Sequence, residues 1–275
     1  MKNILVVLNG RNTAETVFFA CYIAGFTQAR LIAIFPHEMP YLKEPAIKQV
    51  HGSAYVESIV EADLPVDNTY AEKVQEQQQL FSEKCESRGI PYHLFKDQQV
   101  RSEQLMAESR FADMIIVDTS ADVQQHEEQR NKLSRLLLAN SECPVIIAPA
   151  AYDPVEEIIF CYDGSASAVF AMKQLTYLLP GLENIKAIAL HVETDNKLGE
   201  AGQNTVRKWL SDNYRHWDVQ TIKGPAEKEL LNFLLRKKTL VVMGAYGRGI
   251  ISRFFHQSMA EQLVDLSLFP VFITH

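Results

Sequence analysis

The sequence predicts an α/β protein made of two tandem, doubly wound parallel-sheet domains, and three observations lead there. First, the chain of 275 residues is written twice. "NILVVLNGRNTAETVFFA" near the start resembles "EIIFCYDGSASAVFAM" in the middle, with Ile4 matching Ile158. "ADMIIVDTS…ECPVIIAP" likewise resembles "TLVVMGAYG…LFPVFITH", with Pro144 matching Pro270. Second, apolar runs alternate with helical patterns in each half, the order of a strand–helix–strand protein. Third, short runs such as "TLVVM" and "KAIALHV" are apolar almost throughout, as parallel strands covered by helices on both faces require. Right-handed crossovers between such strands give a doubly wound sheet.

The elements follow in chain order. "MKNILVVLNGRN" reads as a buried strand that breaks at once into turn residues. The first half then repeats the order of the second, with its excess length near 36–66. A connection that long is a lid, an interface element or a short extra helix. The join "APAAYDPVEE" at 148–157 is a proline-bearing polar linker, so the domains are expected at 1–150 and 151–275. In the second half strands are expected near 157–162, 185–191, 217–222, 239–243 and 270–274. Helices are expected near 166–179, 200–214, 225–236 and 258–267.

Composition narrows the function. An apolar share of 47% supports a hydrophobic core. A net charge of −7 and a pI near 5.7 argue against a general nucleic-acid binder. No apolar run approaches the roughly 18 residues of a membrane span, and the N-terminus lacks a signal-peptide pattern. A soluble, cytoplasmic protein is expected. Cys21, Cys85, Cys143 and Cys161 are scattered, with no Cys-x-x-Cys, and read as reduced structural thiols. The eight histidines show no zinc-ligand spacing, so no metal site is expected.

The stretch "VVMGAYGRGIISRFFHQS" carries the functional signal. An apolar strand ends in Gly244, Gly247 and Gly249, and a helix is expected to begin at Ser258. Glycines let a backbone approach a ligand closely. A helix N-terminus offers free N–H groups to an anion, and Arg248 would add a charge-assisted contact to phosphate. The alternative is a plain turn before a well-capped helix, because Ser258 and Glu261 form a capping-box pattern. The stretch has neither the P-loop form nor the dinucleotide fingerprint, and no nucleophile elbow is present.

With these residues in view, the chain resembles the universal stress protein family, and as a whole its tandem two-domain members. The ATP-binding branch of that family carries Gly-x2-Gly-x9-Gly-(Ser/Thr) after the fourth strand. Gly244 and Gly247 match it, and Gln257 and Ser258, followed by Met259, stand at its end. The resemblance implies a five-stranded, Rossmann-like parallel sheet in each half, with a nucleotide lying across the strand ends. It implies that Asp163, in "CYDGSAS", faces the nucleoside, and that the backbone at Val192 after the second strand borders the adenine. The other reading of Asp163 is an Asp-Gly turn residue, with Ser165 as the helix N-cap. The resemblance also implies that the last strand of each half makes dimer contacts, so the halves are expected to pack as an intrachain pseudo-dimer, with a homodimer also open.

Two departures shape the expectation. Gln257 stands where the ATP-binding pattern has glycine, which narrows the space or supplies an amide donor. In the first half Asp118, Ala121, Lys132 and Asn9 stand where the second has Gly244, Gly247, Ser258 and Asp163. A carboxylate at 118 would repel phosphate, so the first site is degenerate. The expected function is a stress-response sensor or regulator binding ATP or another adenine nucleotide, with or without magnesium, through its second domain. No catalytic residue is evident, and at most slow ATP hydrolysis is expected. The alternative is a nucleotide-free interaction module, with the 36–66 insertion as its contact surface.

Overall fold

Successive strand side chains point to opposite faces, so a strand with no polar alternation needs cover on both. β1 (Asn3–Val7) meets this condition: Ile4 and Val6 join one apolar layer, Leu5 and Val7 the other. A computed structural model describes residues 2–8, 13–36, 47–50, 53–56, 68–95, 102–118, 137–193, 199–223, 233–234, 238–244 and 269–274.

In the first half β1 leads into α1 (Thr13–Gly25) and β2 (Arg30–Ile34). The expected insertion follows, and its described part is neither a helix nor bare loop. β3 (Ile47–Val50) and β4 (Ser53–Val56) pair antiparallel as a separate two-stranded sheet, with Ile47 opposite Val56. Next come α2 (Asn68–Ser87), β5 (Tyr92–Leu94), α3 (Ser102–Ser109), β6 (Met114–Val117) and β7 (Val145–Ile147). The second half holds β8 (Glu157–Cys161), α4 (Ala166–Leu178), a 3-10 turn at Pro180–Asn184 and β9 (Lys186–Glu193). It ends with α5 (Glu200–Asn213), β10 (Trp217–Lys223), β11 (Thr239–Met243) and β12 (Val271–Ile273). These strands, and α4 and α5, agree with the sequence expectation to within two residues. The expected helices at 225–236 and 258–267 fall outside the described residues, except for 233–234.

All ten long-sheet strands lie in the order β10-β9-β8-β11-β12-β7-β6-β1-β2-β5. Within each half the neighbours are parallel, and the two orders are mirror copies. The exception joins the halves: β12 and β7 run antiparallel, with Phe272 opposite Ile146. Unpaired, each would present a row of free N–H and C=O groups beside fully apolar side chains. Pairing removes both edges and merges the strands into one sheet. The apolar layers follow suit. One contains residues from α1, α2, α4 and α5, the other from α3 and 137–138, and both run through strands of both halves.

The linker is held by α1. Glu15 accepts a hydrogen bond from the Tyr152 N–H at 2.7 Å, and the Tyr22 hydroxyl accepts one from Val155 N–H at 3.2 Å. Tyr152 packs on Phe19 and Tyr22. On the other half Phe160 meets Trp209 and Tyr214 edge-on, at centroid distances of 6.0 and 5.7 Å. Tyr214 donates to Thr176 at 2.7 Å, because the threonine spends its own proton on Met172 O. No helix among the described residues is long and apolar enough to cross a membrane.

Candidate functional site

Chain reversal in a doubly wound sheet leaves a crevice at the carboxyl ends of the strands flanking the switch point. In the second half that point lies between β8 and β11. The chain leaves β8 toward β9 and β10, then returns to the other side of β8 as β11. Asp163 follows β8 by one residue after Tyr162, and Gly244 follows β11 directly. Two residues far apart in sequence are thereby brought to adjoining strand ends.

The Asp163 turn is built from local chemistry. Gly164 takes φ +82°, a left-handed conformation that a side chain disfavours. Asp163 Oδ1 accepts from the Ser165 N–H at 2.8 Å, the turn geometry of an Asx residue. Ser165 caps α4 by accepting from the Ala168 N–H at 3.2 Å, and its hydroxyl lies 3.1 Å from that of Ser167. A carboxylate has about four acceptor sites, and the turn uses one. Asp163 is half-buried, so it serves the turn and remains accessible to a donor.

Gly244 has a packing reason of its own. A Cβ there would lie 2.3 Å from both C and O of Ser167 and 2.6 Å from Ala168 N. The first turn of α4 therefore presses backbone to backbone on the end of β11, and only glycine fits.

Val192 lies inside a strand and not after one. β9 continues to Glu193, because β10 pairs with it as far as Lys223 and their side chains form an ion pair at 3.5 Å. Val192 stands in register with Ile222 and is buried. Gly247, Arg248, Gln257, Ser258 and Met259 lie outside the described residues, as do Asn9, Ala121 and Lys132 of the first half.

One residue the motif reading passed over also belongs here. His191 is buried near the end of β9, and its Nδ1 is 3.0 Å from Tyr162 O. A carbonyl only accepts, so Nδ1 carries a proton toward Tyr162 O. Among the described residues Nε2 has no partner. The ring ties β9 to the peptide just before Asp163. The sequence signal was a single polar residue near the end of the apolar run "KAIALHV".

In the first half the matching switch point lies between β1 and β6. Asp118 sits there at 2% exposure, its N–H donating to Val7 O at 3.3 Å. A buried carboxylate thus stands where the second half has Gly244. Among the described residues no group of three or more His, Cys, Asp or Glu side chains is arranged to hold a metal.

No protein-family model matches the chain. Among solved structures, a universal stress protein from Archaeoglobus fulgidus superposes with a TM-score of 0.62 at 16% identity, covering 98% of this chain and 97% of that one. A putative universal stress protein from Pseudomonas aeruginosa gives 0.55 at 16% identity, covering 99% and 92%. Likeness at this identity speaks to fold. In sequence, 134 residues are 25% identical to the universal stress protein Slr1230 of Synechocystis, 46% of this chain and 45% of that protein. The chain thus has the fold of the universal stress proteins and is similar to one of them in sequence over part of its length. The sequence match spans under half the length of that curated relative, whereas the universal stress protein fold extends over almost the whole chain.

Proposed function

We propose that this chain is a universal stress protein, a cytoplasmic sensor or regulator that binds one adenine nucleotide in the second of two tandem domains packed as an intrachain pair. The observation that carries the reading is the convergence of Asp163 and Gly244 at the β8/β11 switch point, beside the capped start of α4. Both residues also match the sequence pattern of the ATP-binding branch of that family. Asp163 would accept from a nucleoside hydroxyl or amine. The loop through Gly247 and Arg248, closing at Gln257, Ser258 and Met259, would take the phosphates. Val192 would contribute through its position on β9 next to β8. The buried Asp118 would keep a phosphate out of the first half, so one nucleotide per chain is expected.

The test begins with the nucleotide released when the purified protein is denatured, followed by calorimetric titration of the emptied protein. One adenine nucleotide per chain supports the reading, and two equivalent sites overturn it. Asp163→Asn keeps the Oδ1 acceptor of the turn and removes the charge. It should weaken nucleotide binding with little change in melting temperature. A nucleotide-free interaction module is the second reading. Gly244 favours it, because α4 packing alone accounts for that glycine, and the β3–β4 hairpin would then be the contact surface. A protein that carries no nucleotide and gains no thermal stability from ATP would decide for the module, since any ligand of the native state raises stability by mass action.

A further inference from the structure

The core between α1 and α2 holds two thiols side by side. Cys21 on α1 and Cys85 on α2 are buried, at 2% and 0% exposure, within one apolar layer. Both are free, and their side chains are hydrogen-bonded to each other. Two cations close the pair from outside. Arg88, one turn after Cys85, also hydrogen-bonds Cys21, and Lys84 adds its charge. Both rest on Phe18, one turn before Cys21: Lys84 Nζ is 5.0 Å and Arg88 Cζ 5.3 Å from the ring centroid. The spacing of three keeps Phe18 with Cys21, and Cys85 with Arg88, on facing sides of the helix pair. Arg88 is exposed and Lys84 half-buried, so the cations that act on Cys21 reach the surface.

The two thiols differ in acidity as a reactive pair requires. The hydrogen bond from Cys85 lowers the Cys21 thiol below its ordinary 9.0; burial opposes this, and Arg88 and Lys84 assist it. The same hydrogen bond, with burial, raises Cys85. Cys143 and Cys161 lack this setting, and burial pushes each up to about 12. The sequence alone made all four equivalent structural thiols. The geometry separates one pair from the others.

We propose that Cys21 and Cys85 form a reversible dithiol–disulfide site that reacts with peroxides. The Cys21 thiolate attacks a peroxide oxygen, so that a sulfur–oxygen bond forms and the oxygen–oxygen bond breaks. The departing oxygen takes up a proton. Cys85 then loses its proton and attacks Cys21 sulfur; the disulfide forms and the sulfenic oxygen leaves as water. Two thiols lose two electrons and the peroxide gains them, and an external dithiol reverses the change. The bridge joins α1, which holds the linker through Glu15 and Tyr22, to α2, which follows the β3–β4 hairpin. Nothing in this rests on nucleotide binding.

The test treats the full chain with graded hydrogen peroxide and maps the unreduced protein by mass spectrometry. A Cys21–Cys85 linked peptide, the loss of two hydrogens from the intact mass, and full reversal by dithiothreitol are expected. Cys143 and Cys161 serve as internal controls and stay reduced. Cys85→Ser should stop at a sulfenic acid on Cys21, trapped by a 1,3-dione, and Cys21→Ser should leave Cys85 unreacted. Arg88→Gln should slow oxidation of Cys21 several-fold. If a variant does not fold, the wild-type map decides. Oxidation of Cys143 or Cys161 as fast as Cys21, or a link that forms only in denaturant, would overturn the proposal.

Discussion

Gly244→Ala tests whether the glycine at the end of β11 is held there by packing. Ordinary van der Waals contact for a Cβ starts at 3.4 Å, and this one would meet backbone atoms of Ser167 at 2.3 Å and of Ala168 at 2.6 Å. Backbone cannot rotate aside as a flexible side chain can, so the first turn of α4 must retreat by about 1 Å or the end of β11 must bend. Over-packing of this sort costs typically about 1–3 kcal/mol, and two backbone atoms at such distances argue for the upper end. At about 2 °C per kcal/mol for a chain of this size, the melting temperature should fall by about 6 °C. The matched control is Gly25→Ala, at the end of α1, where the added Cβ meets nothing within 4 Å. Alanine has the better helix propensity, so this change should raise the melting temperature by up to about 2 °C. Thermal melts followed by circular dichroism on both variants, beside the parent, make the comparison. A Gly244→Ala protein that melts with the parent would refute the packing argument and return the glycine to ligand approach as its reason.

Alkaline stability follows from two buried acids. Burial pushes Cys143 from 9.0 and Tyr214 from 10.0 up to about 12 in the folded protein. Each therefore contributes in full below its ordinary value, and the contribution is lost as pH rises toward about 12. The urea midpoint should fall from about pH 9 upward, and Cys143→Ala should flatten the first part of that fall; an unchanged slope would exclude Cys143 as a cause. Phe272→Ala removes a fully buried ring from the strand that joins the halves. It should cost about 3–5 kcal/mol and lower hydrogen-exchange protection in β1 as well as β11; protection lost only in the second half would mean that the halves unfold separately. Gln257→Gly should tighten ATP binding more than AMP binding, because it opens space at the expected phosphate end. Calorimetry with both nucleotides measures it, and an unchanged ATP affinity would make Gln257 an amide donor instead.

The sequence by itself determined what depends on near neighbours. Continuous apolar runs required two-face cover, and β8, β10, β11 and β12 lie where those runs predicted them. Asp163-Gly164-Ser165 carried a turn and an N-cap in three letters, because each acts on its own backbone or on the next turn. The internal repeat made the succession of strands and helices in the first half legible from the second. Asp163 and Gly244 were pointed to by the family resemblance, whereas His191 was not, since its partner Tyr162 belongs to another strand. Only the tertiary structure decided the rest. β9 runs past its expected end because β10 supplies partners as far as Lys223, a condition outside its own letters. Gly244 is obligatory because α4 descends on it from a distant part of the chain. Cys21 and Cys85 look alike in isolation and become a pair through the packing of α1 on α2. The merger of both halves into one sheet rests on β7 and β12 facing each other. An exposed apolar edge shows in a sequence that it needs a partner; which strand fills it is settled when the chain closes in three dimensions.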